Sequence, residues 1–457
     1  MGEFQPLLSP PPIAKDEWNH VLLIGLPLVL LQILEYVSIP VINMYIGHLP
    51  LAAAESRVVL SAGGLSSLFL TTTAYSVVVG VSTAMDALCA QAYGRGRAGE
   101  IGIVFQTALA CAAVLCIPLA ILMYFSSGVL RAMGQPEEIA LATEQLLRWL
   151  ILEVPVLFVY EFFKRVLQGQ NIVWPIVGSI SLGVVVDLTV AYFLMFHTSL
   201  GFVGGMLGMV CYYSTAASVM FTRIPIKTMH FDWKIAVARL PEFLFLSSNG
   251  CIMFLSELGG IAATSFMAGS LPNASTALSA NAIYSGFRSL TGMVFLGVGV
   301  ASSVRVGNAL GGNLPVRART AAWLTIQLGS AWGLFTTIVS IWLGPMYATL
   351  YTQDPAVLAQ AKSLFYVTAP FQVTLGVWAA VQGTFRGSGK PHQGAIANVI
   401  AFIIIGLPLA HALAQVYGIV GLWLGISIGF CICAAYGLYW TIHAAWDNMA
   451  ETVSQKE

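Results

Sequence analysis

Residues 80–96 read GVSTAMDALCAQAYGRG, and residues 297–313 read GVGVASSVRVGNALGGN. Set in register on Gly80-Val81 and Gly297-Val298, they place Gln91 opposite Asn308 and Gly94 opposite Gly311, an offset of about 217 residues. Two more pairs keep that offset. Gly134-Gln-Pro-Glu-Glu-Ile139 stands against Thr352-Gln-Asp-Pro-Ala-Val357, and Val166-Leu-Gln-Gly-Gln170 against Thr384-Phe-Arg-Gly-Ser388. One short match would carry little, but three in the same order make this a duplicated chain. In membrane carriers, such repeats place the substrate path near the midplane.

The rest of the sequence says which solvent the duplicated unit faces. Of 457 residues, 58% are hydrophobic and 9% charged, with a mean hydropathy of +0.82. A water-soluble domain carries about 25% charged residues, so lipid is the solvent this surface suits. Each crossing takes roughly 20 apolar residues, and helices satisfy their own backbone hydrogen bonds there. Apolar runs of that length fall at about 20–46, 59–90, 101–124, 146–168, 173–196, 200–221, 243–268, 281–307, 320–344, 363–385, 393–413 and 417–442. The expectation is an all-α membrane protein of twelve transmembrane helices in two pseudo-symmetric six-helix lobes.

The one long polar interruption, Arg223 to Glu242, lies near the midpoint. The expected divisions are therefore a tail over 1–19, a first lobe over 20–222, a linker over 223–242, a second lobe over 243–442 and a tail over 443–457. With the N-terminus in the cytosol, fifteen Lys and Arg residues fall inside, among them Arg95, Lys164, Arg223, Lys227, Arg317 and Lys390. Five, Arg57, Arg131, Arg148, Arg288 and Lys362, fall outside. That bias puts both termini in the cytosol. The formal net charge is zero, so no field points to nucleic acid. The seven cysteines have no metal-ligand spacing with histidine and read as buried thiols.

The stretch Gly80 to Gly94, with Asp86-Ala-Leu-Cys89-Ala-Gln91-Ala-Tyr-Gly94 at its core, resembles the second-helix pattern of the multidrug and toxic compound extrusion (MATE) family. Arg305, Asn308 and Gly311 are similar to the matching Arg-Val-x-Asn-x-Leu-Gly of its second half. Arg386-Gly-Ser-Gly-Lys390-Pro is similar to the Arg-Gly-x-Gly after the tenth helix. The form of the signature and the proline-rich start look eukaryotic. The resemblance implies two V-shaped lobes around a central cleft. It also implies exchange of small, often cationic, organic compounds for a coupling ion, which is the proton in eukaryotic members and leaves sodium as the other choice. No cofactor or metal is expected, and a functional monomer in the vacuolar or plasma membrane is.

Acids within the spans are the informative positions, because a charge at the centre of the bilayer costs at least ~2.5–3.5 kcal/mol. A carboxyl kept there can hold either a proton or a cationic substrate, and that exclusion is the core of an antiporter. Glu257, in the seventh span, matches the family's seventh-helix glutamate, although the plant Trp-Trp-Ser-Phe-Glu setting is not preserved. The tenth-helix acid of plant members has Ala379 in its place. The first half offers Glu35, Glu153, Glu161 and Asp187. Asp187 resembles the fifth-helix aspartate of the prokaryotic first-lobe cation site. Pro155, between Glu153 and Glu161, and Pro40, five residues after Glu35, suggest kinks beside titrating groups. Glu153 and Glu161 have a structural reading too, pairing with Arg148 or Lys164. Asp86, near a helix end, reads as a structural or gating residue. Tyr36, Tyr160, Tyr284, Phe287, Trp378 and Gln382 are the candidate cleft residues, since aromatic faces attract organic cations.

Glu3-Phe-Gln-Pro-Leu7-Leu8 has the acidic dileucine form of a lysosomal or vacuolar sorting tail. Phosphate-loop and hydrolase motifs are missing, which takes most of the support from ATP-driven transport within this chain and argues against an enzyme. A lipid-linked oligosaccharide flippase of the same superfamily is the alternative. It would need a basic cleft for pyrophosphate, whereas the intramembrane charges read from this sequence are acidic.

Overall fold

The computed structural model describes residues 11–49 and 53–455, and every regular element among them is helical. In chain order these are α1 (Pro11–Gly47), α2 (Ala53–Leu70), α3 (Ser76–Gly94), α4 (Ile101–Tyr124), α5 (Ser126–Ala132), α6 (Glu137–Leu150), α7 (Glu153–Gly169), α8 (Trp174–His197), α9 (Val203–Phe221) and α10 (Trp233–Ala238). Then follow α11 (Leu240–Ala268), α12 (Ala274–Gly311), α13 (Pro315–Trp342), α14 (Gly344–Thr349), α15 (Pro355–Thr368), α16 (Phe371–Gly387), α17 (Pro391–Asn398), α18 (Leu407–Tyr417), α19 (Ile419–His443) and α20 (Trp446–Ser454). Wide π-helical turns join α2 to α3 over Thr71–Tyr75 and α17 to α18 over Val399–Gly406. The dileucine stretch lies outside the described residues.

Among the described residues ten helices are long and apolar enough to cross a bilayer. They become eleven when α15 and α16, bent by 59° at a short break, count as one span. The twelfth is the first-half counterpart of that bent pair. α6 and α7 have the same lengths, 14 and 17 residues, as α15 and α16, and lie at the offset of the sequence repeat. Glu153, Glu161, Lys164 and Arg165 in α7 are what lower its hydropathy. Left-handed residues recur at the same spacing, Gly96 with Asn313, Asn171 with Gly389 and Gly201 with Gly418, so the duplication extends to the turns.

Pro155 does not kink a helix between Glu153 and Glu161. α7 begins at Glu153, which puts Pro155 in the first turn, where its missing N–H is needed by no partner. α1 runs as one helix from Pro11 to Gly47, with Pro40 in its interior. Residues 11–19, read as tail, are the first turns of α1. Glu17 is buried there, 2.7 Å from Arg305.

The described residues form two compact units. The larger takes in the described part of Met1–Gln32, with Asp86–Arg97 and the described part of Leu246–Glu457. Its packing is glycine-led. A Cβ on Gly383 of α16 would strike the carbonyl of Gly299 in α12, and one on Gly311 would strike that of Gln91. The smaller unit takes in Ile33–Met85 and Ala98–Phe245, of which residues 50–52 are outside the description. Here the segment after α9 is held to α4. The Asp232 amide donates to the Gln106 side chain at 2.7 Å, and the Thr107 hydroxyl donates to the Ala236 carbonyl at 3.1 Å.

Candidate functional site

In the larger unit, α11, α12, α16 and α17 enclose a small cavity lined by Glu257, Phe254, Phe295, Trp378, Gln382, Arg386 and their neighbours. It leaves about 20 Å³ to the centre of a water molecule, enough for one or two waters. Ala379 is also in the wall, so no second acid faces Glu257 from that position. The Gln382 amide donates to Asn398 Oδ1 at 2.8 Å, and Asn398 donates to the Met253 carbonyl at 3.0 Å. Gln382 Oε1 and Trp378 Nε1 are buried and make no hydrogen bond among the described residues. The cavity thus gathers a carboxyl, an aromatic ring and an unused donor and acceptor.

Two arginines act on the Glu257 charge, Arg288 and Arg386. Arg386 is committed elsewhere. Its Nε lies 3.3 Å from Asp86 Oδ2, and its guanidinium is 5.8 Å from the Phe254 ring centre. Asp86 is therefore the counter-ion of a residue that lines the cavity. Arg288 sits well inside α12, against the rings of Trp423 at 5.4 Å and Phe430 at 5.3 Å. Charge counting had set it among the outside residues; its place in the helix interior was not legible from a lone Arg in an apolar run.

In the smaller unit the first-half acids separate into two kinds. Glu161, 1% exposed, is locked: Lys164 Nζ lies 2.5 Å from it and Arg165 3.4 Å. Lys164 also reaches Glu35 at 2.8 Å, and the Tyr160 hydroxyl donates to the same Glu35 oxygen. Glu153, 1% exposed, and Asp187, fully buried, have no ion pair among the described residues; Arg148 pairs with Glu144 instead, at 2.6 Å. They lie within electrostatic reach of each other. Ser38 is the hydroxyl facing Asp187, yet neither Asp187 oxygen completes a hydrogen bond of ordinary geometry. Two buried carboxyls with no cation beside them carry a desolvation cost that no ion pair offsets.

The aromatic candidates divide as well. Trp378 and Gln382 line the Glu257 cavity, while Tyr160 belongs to the Glu35 network and Tyr36 is half-buried next to it in α1. Tyr284 and Phe287 are packed in a hydrophobic cluster with Phe365 and Trp423, away from that cavity lining. Arg288 and Asn398 are the polar partners that sequence reading missed, together with the second contact of Lys164, to Glu35. Arg288 enters the sequence reading for topology only, and Asn398 carries no motif.

A family model described as MatE matches residues 27–193 and 251–412. The chain is 28% identical to multidrug and toxin extrusion protein 2 of Oryctolagus cuniculus, over 95% of this chain and 72% of that one. It is 26% identical to protein DETOXIFICATION 17 of Arabidopsis thaliana, over 97% of this chain and 93% of that one. The crystal structure of the eukaryotic MATE transporter AtDTX14 superposes with a TM-score of 0.90 at 23% identity, covering 97% of this chain and 99% of that chain.

Proposed function

This chain belongs to the MatE family, a multi-pass membrane transporter of small compounds, and from that premise we propose that it exports organic cations and amphiphiles in exchange for protons through Glu257. The observation that supports this reading is the single cavity joining Glu257 to Trp378 and Gln382. A carboxylate that shares a cavity with an aromatic ring attracts a cation by charge, and the ring adds its quadrupole; a proton on the same carboxyl removes the first attraction. Uptake of one therefore releases the other. The Lys and Arg bias supports cytosolic termini, and the chain acts as a monomer in a vacuolar or plasma membrane of a eukaryotic cell.

The test is efflux of a fluorescent organic cation from proteoliposomes under an imposed pH gradient. Wild type is expected to accelerate efflux with the gradient, and Glu257→Gln, at equal protein level, to lose that acceleration. Efflux that follows a sodium gradient and ignores pH would replace the proton by sodium as the coupling ion.

A further inference from the structure

We propose that Arg288 is the acid-recognising end of the Glu257 site, and that the substrates this chain handles best are zwitterions: a cationic group taken at Glu257 and a carboxylate or similar acid taken at Arg288. The inference rests on the reading of Glu257 as the exchange site.

Arg288 is unusual in how it is held. Its guanidinium faces Trp423 and Phe430, and among the described residues it has neither an ion pair nor a hydrogen bond. Cation–π contact uses the face of the guanidinium and leaves its in-plane N–H groups unspent. Those donors form the fork that suits a carboxylate. Both rings are themselves fixed. The Trp423 indole N–H donates to Asn281 at 2.8 Å, and Phe430 is wedged edge-to-face between Trp378 and Phe402 at 5.0 and 4.8 Å. Trp378 is the ring that also lines the Glu257 cavity, so one aromatic contact joins the two charged groups.

The alternative task for Arg288 is to neutralise Glu257. That would bring the two within ion-pair distance, as Asp86 is to Arg386 and Glu161 to Lys164. They act on each other's charge yet form no salt bridge, and Arg386 is already spent on Asp86. An acid and a base that act on each other's charge without pairing match a solute that carries both charges. A simple anion fits less well. It would bind best with Glu257 protonated, so proton and solute would move together and exchange would be lost. A zwitterion keeps the exchange, because its cationic end still competes with the proton. Trading it for one proton also moves a net charge each cycle, which a monovalent cation does not.

A series of betaines of increasing methylene length, each set against the alcohol of the same length, separates these cases in proteoliposomes. The trimethylammonium group is common and only the carboxylate differs. Wild type is expected to move at least one betaine about tenfold faster than its alcohol under a pH gradient, and a potassium diffusion potential is expected to stimulate the betaine alone. Arg288→Gln is expected to lower that ratio about tenfold; Arg288→Lys, which keeps the charge but not the fork, to lower it less. An unchanged ratio in Arg288→Gln, or equal losses for both solutes in both variants, overturns the inference while leaving proton exchange at Glu257 intact. A wild type that moves the alcohols and rejects every betaine also overturns it alone. No pH-driven movement of any solute overturns both readings together.

Discussion

Lys164 carries two carboxylates, the buried Glu161 at 2.5 Å and the half-buried Glu35 at 2.8 Å, on a side chain that is 4% exposed. Removing one partner of a buried ion pair leaves an uncompensated charge and costs about 3–5 kcal/mol. Lys164→Met is therefore expected to lower the apparent melting temperature of the detergent-solubilised protein, followed by tryptophan fluorescence. Adding Glu161→Gln to it should restore part of the loss, because one stranded charge is removed. If Lys164→Met melts like wild type, the network contributes nothing to stability. The acids themselves were visible in the sequence, since a carboxylate in an apolar run stands out. The Glu161–Lys164 pair was also legible, three residues apart on one helix. What could not be read was Glu35, 129 positions from Lys164, because only the packing of α1 on α7 brings them together. The same packing separates a locked acid, Glu161, from the unpaired Glu153 and Asp187, a distinction invisible to any count of charges.

At the level of the helix, hydropathy found the spans and missed their breaks. A uniform tenth span over 363–385 became α15 and α16, bent by 59°, since a sliding average of apolar character cannot sense where the backbone hydrogen bonds stop. Pro370, which has no N–H to donate, sits at that break as the cap of α16. The fourth span is also interrupted, between α6 and α7. Glycine position, by contrast, decides which helices approach closely. Gly383 of α16 has no room for a Cβ against the Gly299 carbonyl of α12, whereas Gly259 of α11 has nothing within 4 Å. Gly383→Val should force the α12–α16 pair apart and sharply reduce monodisperse protein in size-exclusion chromatography. Gly259→Ala should melt within a degree or two of wild type, or slightly higher from its helix propensity. Similar behaviour of the two variants would mean that the close approach of α12 and α16 is not what holds that unit together.

The whole chain repeats a backbone and diversifies its chemistry. Turns recur at the repeat offset, Gly201 with Gly418 and Gly96 with Asn313, and three short matches had made that duplication readable before any helix was placed. The acids do not recur. One half buries Glu153 and Asp187 without a cation; the other sets Glu257 within reach of Arg288 and Arg386, the latter paired with Asp86 from the first half. If exchange is confined to the Glu257 half, one proton should cross for each cationic solute. That ratio can be measured as the solute gradient that just balances an imposed pH gradient, with no net flux. Wild type is expected to balance a tenfold proton gradient with about a tenfold solute gradient, the value of one-to-one exchange with a monovalent cation. Asp187→Asn should alter the rate at which that balance is reached but not its position, because a balance point depends only on how many protons are exchanged. Glu257→Gln should show no balance point that follows pH. A wild-type solute gradient near the square of the proton gradient, returning to first power in Asp187→Asn, would instead assign one proton to each half and make the two units partners in every cycle.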